Sequence, residues 1–183
     1  MTRKITPKLI IIIAAVFLII STATGVTLAY ILKGTPPVEN SFDPVYVSCL
    51  VEEEFDGRTK SNVKVKNTGD INAYVRATYI VMWKNDDGAV LGQAPVLGVD
   101  YTITTGSDKW VLGSDGFYYY TSPLMPNVSS DILIKEIKAT ENAPDGYFLS
   151  VHVAATAIQA EPTNAVTEAW TATIGSNGSL TAP

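Results

Sequence analysis

From residue 45 onward, apolar residues recur at every second position through most of the chain, and a period of two predicts β-strands. Between Ser61 and Lys66, Val63 and Val65 alternate with Asn62, Lys64 and Lys66. Asn67-Thr68-Gly69-Asp70 then reads as a turn in which Gly69 takes positive φ. The longest alternating run follows, from Asn72 to Trp83. Ala73, Val75, Ala77, Tyr79, Val81 and Trp83 make one wholly apolar face; Tyr74, Arg76, Thr78, Ile80 and Met82 make a mixed one, expected to be partly solvated. The Asp87-Gly88 step closes a hairpin after it.

Further strands are predicted at 46–51, 101–105, 117–121, 132–139 and 147–159. The last is apolar on both faces around Val151, Val153, Ala155, Ala157 and Ile158, which fits a central strand. Ser114-Asp115-Gly116 and Pro144-Asp145-Gly146 are two more turns, and Thr163 to Trp170 forms one short helix after Pro162. Many short strands between Gly, Asp and Pro turns predict an all-β fold, an antiparallel β-sandwich over residues 45–172 with one or two short helices. The small, polar tail 173–183 is expected to fray. Trp83 and Trp170 are expected to be buried, and Trp110, beside Asp108 and Lys109, exposed.

The first 29 residues have a different pattern. Arg3, Lys4 and Lys8 precede an unbroken apolar run from Leu9 to Ile20, and no charge returns until Lys33. Thr27-Leu28-Ala29 offers small residues where a signal peptidase looks, so residues 1–29 read as a signal helix cut between Ala29 and Tyr30. The alternative is an uncleaved anchor, because Leu9 to Leu32 is uncharged and about 20 residues span a bilayer. Residues 30–44, with Gly34, Pro36, Pro37 and Pro44, read as an extended arm.

Charge narrows the partners. The chain carries 18 acidic and 13 basic residues, a net charge of −5, and loss of Arg3, Lys4 and Lys8 with the signal makes the remainder more acidic. Such a surface repels nucleic acid and anionic lipid, so the expected membrane contact is the N-terminal segment before cleavage. The single cysteine, Cys49, cannot form an internal disulfide, so an exported domain must hold together by packing.

Catalytic patterns are missing from the sequence. His152 is the only histidine, with no HExxH helix and no GxSxG elbow. Cys49 has no basic neighbour to activate it. Glu52-Glu53-Glu54 with Asp56, and Asp86-Asp87, could bind calcium but match no EF-hand spacing and read as solvated charge. We therefore expect no enzyme activity and no cofactor. Phe117-Tyr118-Tyr119-Tyr120 is a sharper clue: in a strand, Tyr118 and Tyr120 share one face, either as structural cross-strand aromatics or as a contact surface for another protein.

Four stretches carry a family resemblance: GVTLAY (Gly25 to Tyr30) with PVENSFDP (Pro37 to Pro44), VKVKNTGDINAYVRATYIVMW (Val63 to Trp83), DGFYYYTSPLMPN (Asp115 to Asn127), and AIQAEP with the later EAW (Ala157 to Trp170). In this order they resemble the TasA/camelysin-like group of exported biofilm-matrix fibre proteins of Gram-positive bacteria. Its NTGD-x-x-AY-x-R element matches Asn67, Thr68, Gly69, Asp70, Ala73, Tyr74 and Arg76. The resemblance implies a jelly-roll sandwich, a specialised signal peptidase as export partner, and a secreted subunit that polymerises with itself or with paralogous fibre subunits. It also implies that the arm freed by cleavage adds as a strand to the next subunit. The prolines confine that donor strand to Val38, Glu39, Asn40, Ser41, Phe42 and Asp43, or to residues near Val45 to Val47. The competing expectation is a monomeric surface-binding or adhesion module tethered by an uncleaved N-terminal helix. The metalloprotease label attached to camelysin has no support in these residues.

Overall fold

The structure is a computed structural model, and it describes residues 8, 11, 12, 14–16, 44–56 and 59–183. The chain divides into two compact units, Met1–Asp43 and Pro44–Pro183. The described residues of the first are helical and exposed. The expected cleavage point at Ala29 and Tyr30 and the donor residues Val38 to Asp43 lie outside the described residues. Among the described residues, no helix is long and apolar enough to cross a membrane.

The second unit is an antiparallel β-sandwich. Its strands are β1 (Cys49–Phe55), β2 (Thr59–Asn67), β3 (Ala73–Lys84), β4 (Tyr101–Thr105), β5 (Trp110–Leu112), β6 (Tyr118–Tyr120), β7 (Ile134–Ala139) and β8 (Phe148–Gln159). One helix, α1 (Asn164–Trp170), and a small hairpin, β9 (Thr173–Ile174) with β10 (Leu180–Thr181), complete it. One sheet has the order β1-β2-β7-β4 and the other β5-β6-β3-β8. The inner pairings β2·β7 and β3·β6 are those of a jelly-roll hairpin wrapped on itself, whereas its outermost pairs are replaced by β1·β2 and β5·β6.

The period-two pattern of β3 explains how the layers meet. Val75 and Ala77 are fully buried between the sheets with Val63, Val65, Ile134 and Ile137, and Tyr79 and Val81 extend this core. The other face of β3 is less solvated than its composition suggests. Tyr74 is 2% exposed, packed with Tyr119, Val166, Trp170, Ala172 and Leu180 beneath α1 and the hairpin. Farther along the same face Ile80 is left open, 59% exposed.

Several expectations change. The tail 173–183 does not fray: Leu180 is buried, its N–H bonds to the Thr121 carbonyl, and the Ser114 N–H bonds to the Pro183 carbonyl. Gly69 is not among the positive-φ residues, whereas Gly88, Gly116 and Gly146 are, as their Asp-Gly turns suggested. Trp110 is 8% exposed, its ring 5.2 Å from that of Tyr120 and its Nε1–H donating to the Asp131 carbonyl at 2.9 Å. Flanking charges misled the reading because alternation sends Trp110 inward while Lys109 reaches Asp131 outside. Strand β8 is not central. It pairs with β3 along its whole length and forms the edge of its sheet.

Replacing Trp110 by alanine therefore should cost about 3–5 kcal/mol, the usual range for a buried aromatic. Urea unfolding of the variant checks this; an unchanged midpoint would return Trp110 to the surface.

Candidate functional site

The family-like motif on 67–76 spans the β2–β3 turn and the start of β3. Asn67 is fully buried with its side chain's hydrogen-bonding capacity nearly used. Its Nδ2 donates to the carbonyls of Ile71 and Leu124, each at 2.8 Å, and its Oδ1 accepts the Gly69 N–H at 2.9 Å. That local Asx bond shapes the turn. The turn in turn grips the segment before β1: Thr68 N–H bonds to the Ser48 carbonyl at 3.0 Å and Asp70 N–H to the Tyr46 carbonyl at 2.9 Å. A Cβ on Gly69 would collide with the Tyr46 carbonyl oxygen and stand 3.0 Å from Ser48 N. Glycine is needed here for close approach of two backbones rather than for positive φ. The side chains of Thr68 and Asp70 are exposed; their backbones do the gripping.

The rest of the motif holds the opposite face of the second sheet. Ala73 exchanges two backbone bonds with Leu124, and the Tyr74 hydroxyl donates to the Gly178 carbonyl at 2.7 Å, fastening the C-terminal hairpin. The Arg76 guanidinium lies 4.2 Å over the Phe117 ring and 4.9 Å over the Trp170 ring. It also donates to the Tyr119 hydroxyl at 3.1 Å and meets Asp115 at 3.4 Å, so one side chain joins β3, β6, α1 and the turn at Asp115. The Tyr119 hydroxyl donates to Asp115 at 2.6 Å. Partial desolvation opposes ionisation of Asp115, but the Tyr119 hydroxyl, the Phe117 N–H and Arg76 outweigh it and hold the carboxyl below its ordinary value.

Tyr118 and Tyr120 do not form an exposed ladder. Tyr120 is 5% exposed and Tyr118 is half-buried; both pack into the core between the sheets, Tyr118 stacked on Tyr79 at 5.9 Å. Alternation placed them on one face as expected, but both faces of this strand are covered, which leaves the structural role. His152 is exposed on the outer face beside Ile80. Burial raises the Cys49 pKa, so the thiol is not activated. The acidic run on β1 is dispersed by alternation: Glu52 accepts from Ser129, Glu53 from Lys60 and Glu54 from Asn62. Among the described residues, no group of three or more His, Cys, Asp and Glu could hold a metal ion.

What the sequence reading missed is the open side of the sandwich. Nothing among the described residues pairs with the outer edge of β8. The edge strands differ in how they are protected. Three glutamates stand on β1, a register break interrupts β4, and β5 has three residues. Strand β8 has 12 residues, FLSVHVAATAIQ, with no Lys, Arg, Asp, Glu, Pro or Gly. Its inward row, Leu149, Val151, Val153, Ala155 and Ala157, packs on the core yet remains half-buried. Across the sandwich β8 faces β1, the edge of the other sheet.

At the Phe148 end lies a cavity of about 270 Å³ lined by β8 residues 148–152, His152 among them, and by Glu53, Phe55, Lys60 and Ile137. A β-bulge puts a charge there. Glu52 pairs with Lys64 but Glu54 with Ser61, so β2 carries one extra residue, with Asn62 at φ 54°. The bulge reverses the alternation and turns Lys60 inward, opposite Ile137, where it is 8% exposed and 2.6 Å from Glu53. No family model, curated protein or solved structure matches this chain.

Two outcomes are expected. Gly69→Ala should lower Tm by several degrees, equivalent to about 1–3 kcal/mol of overpacking, while Thr68→Ala should leave it within about 0.5 kcal/mol; calorimetry of the pair checks the grip on residues 46–48. Because the folded pKa of Asp115 is lowered, its stabilisation is complete above the unfolded value near 4 and fades as pH falls through the folded one. Between pH 5 and pH 3, the urea midpoint of Asp115→Asn should therefore fall less than that of the wild type.

Proposed function

We propose that this protein is a secreted structural subunit of an extracellular matrix or pilus-like fibre, and that it assembles by adding the N-terminal arm of one copy as a strand to the next. The observation that carries this reading is the unpaired β8 edge: 12 residues long, without charge or proline, its inward side chains only partly covered. An open edge presents a row of backbone donors and acceptors that a further strand can satisfy, and a covered inward row gains hydrophobic burial. A heterologous contact of that kind does not close on itself and generates a filament. The Gly69 turn supports the reading from the other side, because it fixes residues 46–48 and so sets the point from which an arm would depart. The signal-like N-terminus and the resemblance to the TasA/camelysin-like group support a subunit that works outside the cell, with a signal peptidase as its export partner and itself or paralogous subunits as its assembly partners. We assign it no catalytic role.

The test is electron microscopy of purified protein beginning at Tyr30, concentrated and left to stand. Regular filaments that disappear when residues 38–43 are deleted are expected. Dispersed particles with and without those residues would overturn self-assembly and favour a tethered adhesion module, in which case the cell-surface protein would still begin at Met1.

A further inference from the structure

Pairing with β3 fixes which backbone groups of β8 face its open side. In an antiparallel ladder, residue pairs that exchange hydrogen bonds alternate with pairs that do not. Ala160 N–H bonds to the Asn72 carbonyl at 2.9 Å, one step beyond the Ala73–Gln159 pair, and the register runs unbroken from there to Phe148. The even-numbered residues of β8 therefore bond to β3. The odd-numbered ones turn their N–H and C=O groups to the open side, and these are the residues of the inward row, Leu149, Val151, Val153, Ala155 and Ala157.

The strand is also its own complement. About Val153, Phe148 mirrors Ile158, Ser150 mirrors Thr156 and His152 mirrors Ala154, while Leu149 mirrors Ala157 and Val151 mirrors Ala155. We propose that the partner of this edge is the β8 of a second copy, paired antiparallel with the twofold axis at Val153. This surface goes beyond strand addition by an arm and uses no residue of the arm. Outside, an aromatic ring meets an aliphatic chain and two hydroxyls lie within bonding reach of each other. Inside, Leu and Val each stand opposite Ala, which keeps the new layer even.

The axis is set by chemistry as well as by length. Moved to residue 152, it would place the two His152 rings opposite each other and Phe148 against Thr156; moved to 154, it would set Ser150 against Ile158 and Leu149 against Gln159. A strand that faces itself meets each of its charges as a like charge, and β8 has no Lys, Arg, Asp or Glu. Facing β8 from the other sheet, β1 keeps its carboxylates engaged within its own copy, Glu52 by Ser129, Glu53 by Lys60 and Glu54 by Asn62. The odd-numbered groups supply about ten main-chain hydrogen bonds, as many as a typical protein–protein interface has in all. Such an isologous contact closes as a dimer. An edge taken by its twin receives no further strand, so the dimer holds both copies out of any fibre built on that edge.

Disulfide trapping under mild oxidation tests this in the full chain with Cys49→Ala as background. On the axis, Val153→Cys lies about 5.5 Å from its twin by Cα, within disulfide reach, whereas residue 150 lies roughly 20 Å from its twin. Val153→Cys alone, and Ser150→Cys mixed with Thr156→Cys, should each give dimers at least about tenfold above Ser150→Cys alone or Thr156→Cys alone. The outward pair decides the matter if Val153→Cys fails to fold. Repeating the series in a chain lacking residues 38–43 removes any competing arm, and matched trapping there should be equal or greater. Matched dimers in neither chain, or Ser150→Cys alone trapping as well as the mixture, would overturn the twofold contact. If that happens while filaments require residues 38–43, strand addition still stands. If matched dimers form while filaments do not require those residues, strand addition fails and the dimer stands.

Discussion

Burial of β3 on both faces is the constraint on which the rest of this domain depends. With a single cysteine the unit has no internal disulfide, so its order must come from packing. Strand β3 supplies that order because it pairs with β6 on one side and β8 on the other, and because neither face is left to water along its first half. Inward, Val75 and Ala77 meet the opposing sheet. Outward, Tyr74 and Arg76 collect the helix, the C-terminal hairpin and the aromatic strand β6. Each buried polar group on that outward side has a partner, as the low dielectric there requires.

This arrangement gives the motif on residues 67–76 a physical meaning. Its residues have no shared catalytic geometry; they fasten different parts of the chain to one strand. Asn67 shapes a turn, Gly69 admits the backbone of Tyr46, Tyr74 fastens Gly178, and Arg76 bridges three aromatic rings and a carboxylate. The two chain segments flanking the sandwich are thus anchored from a single stretch of ten residues. A change at any of these positions acts on stability, and one in the Asn67–Asp70 turn also acts on the placement of the segment before β1.

Against that well-satisfied side stands the β8 edge, whose outer side pairs with nothing among the described residues. Isolated edges of this length are usually shortened, charged or broken, and β1, β4 and β5 each have one of those features. Strand β8 has none, and the row along its inner face is only half-buried. The two neighbouring strands thus differ: β3 is paired on both sides, whereas among the described residues β8 is paired on one.

Local pattern alone determined a good part of this. Alternation located β3, β4, β7 and β8 to within a residue or two, and assigned the inward face of β3 correctly, because side-chain direction in a strand follows directly from residue parity. The short helix before Trp170 and the Asp-Gly turns were legible for similarly local reasons. Composition also excluded an internal disulfide. What it could not supply was anything set by the neighbour across a sheet. The edge position of β8 depends on which strands pair, and an apolar run reads the same whether the second partner is present or absent. The burial of Trp110 and Tyr120 depends on what lies over them. Gly69 was recognised as necessary, but its reason is a backbone 20 or so residues away in the chain folded back to within contact, not its own φ. The bulge at Asn62 breaks parity, and with it the rule by which Lys60 would have been placed. Sequence specified the strands and their faces because those are properties of one segment; tertiary structure decided the edges, the cavity and the buried lysine because those are properties of pairs.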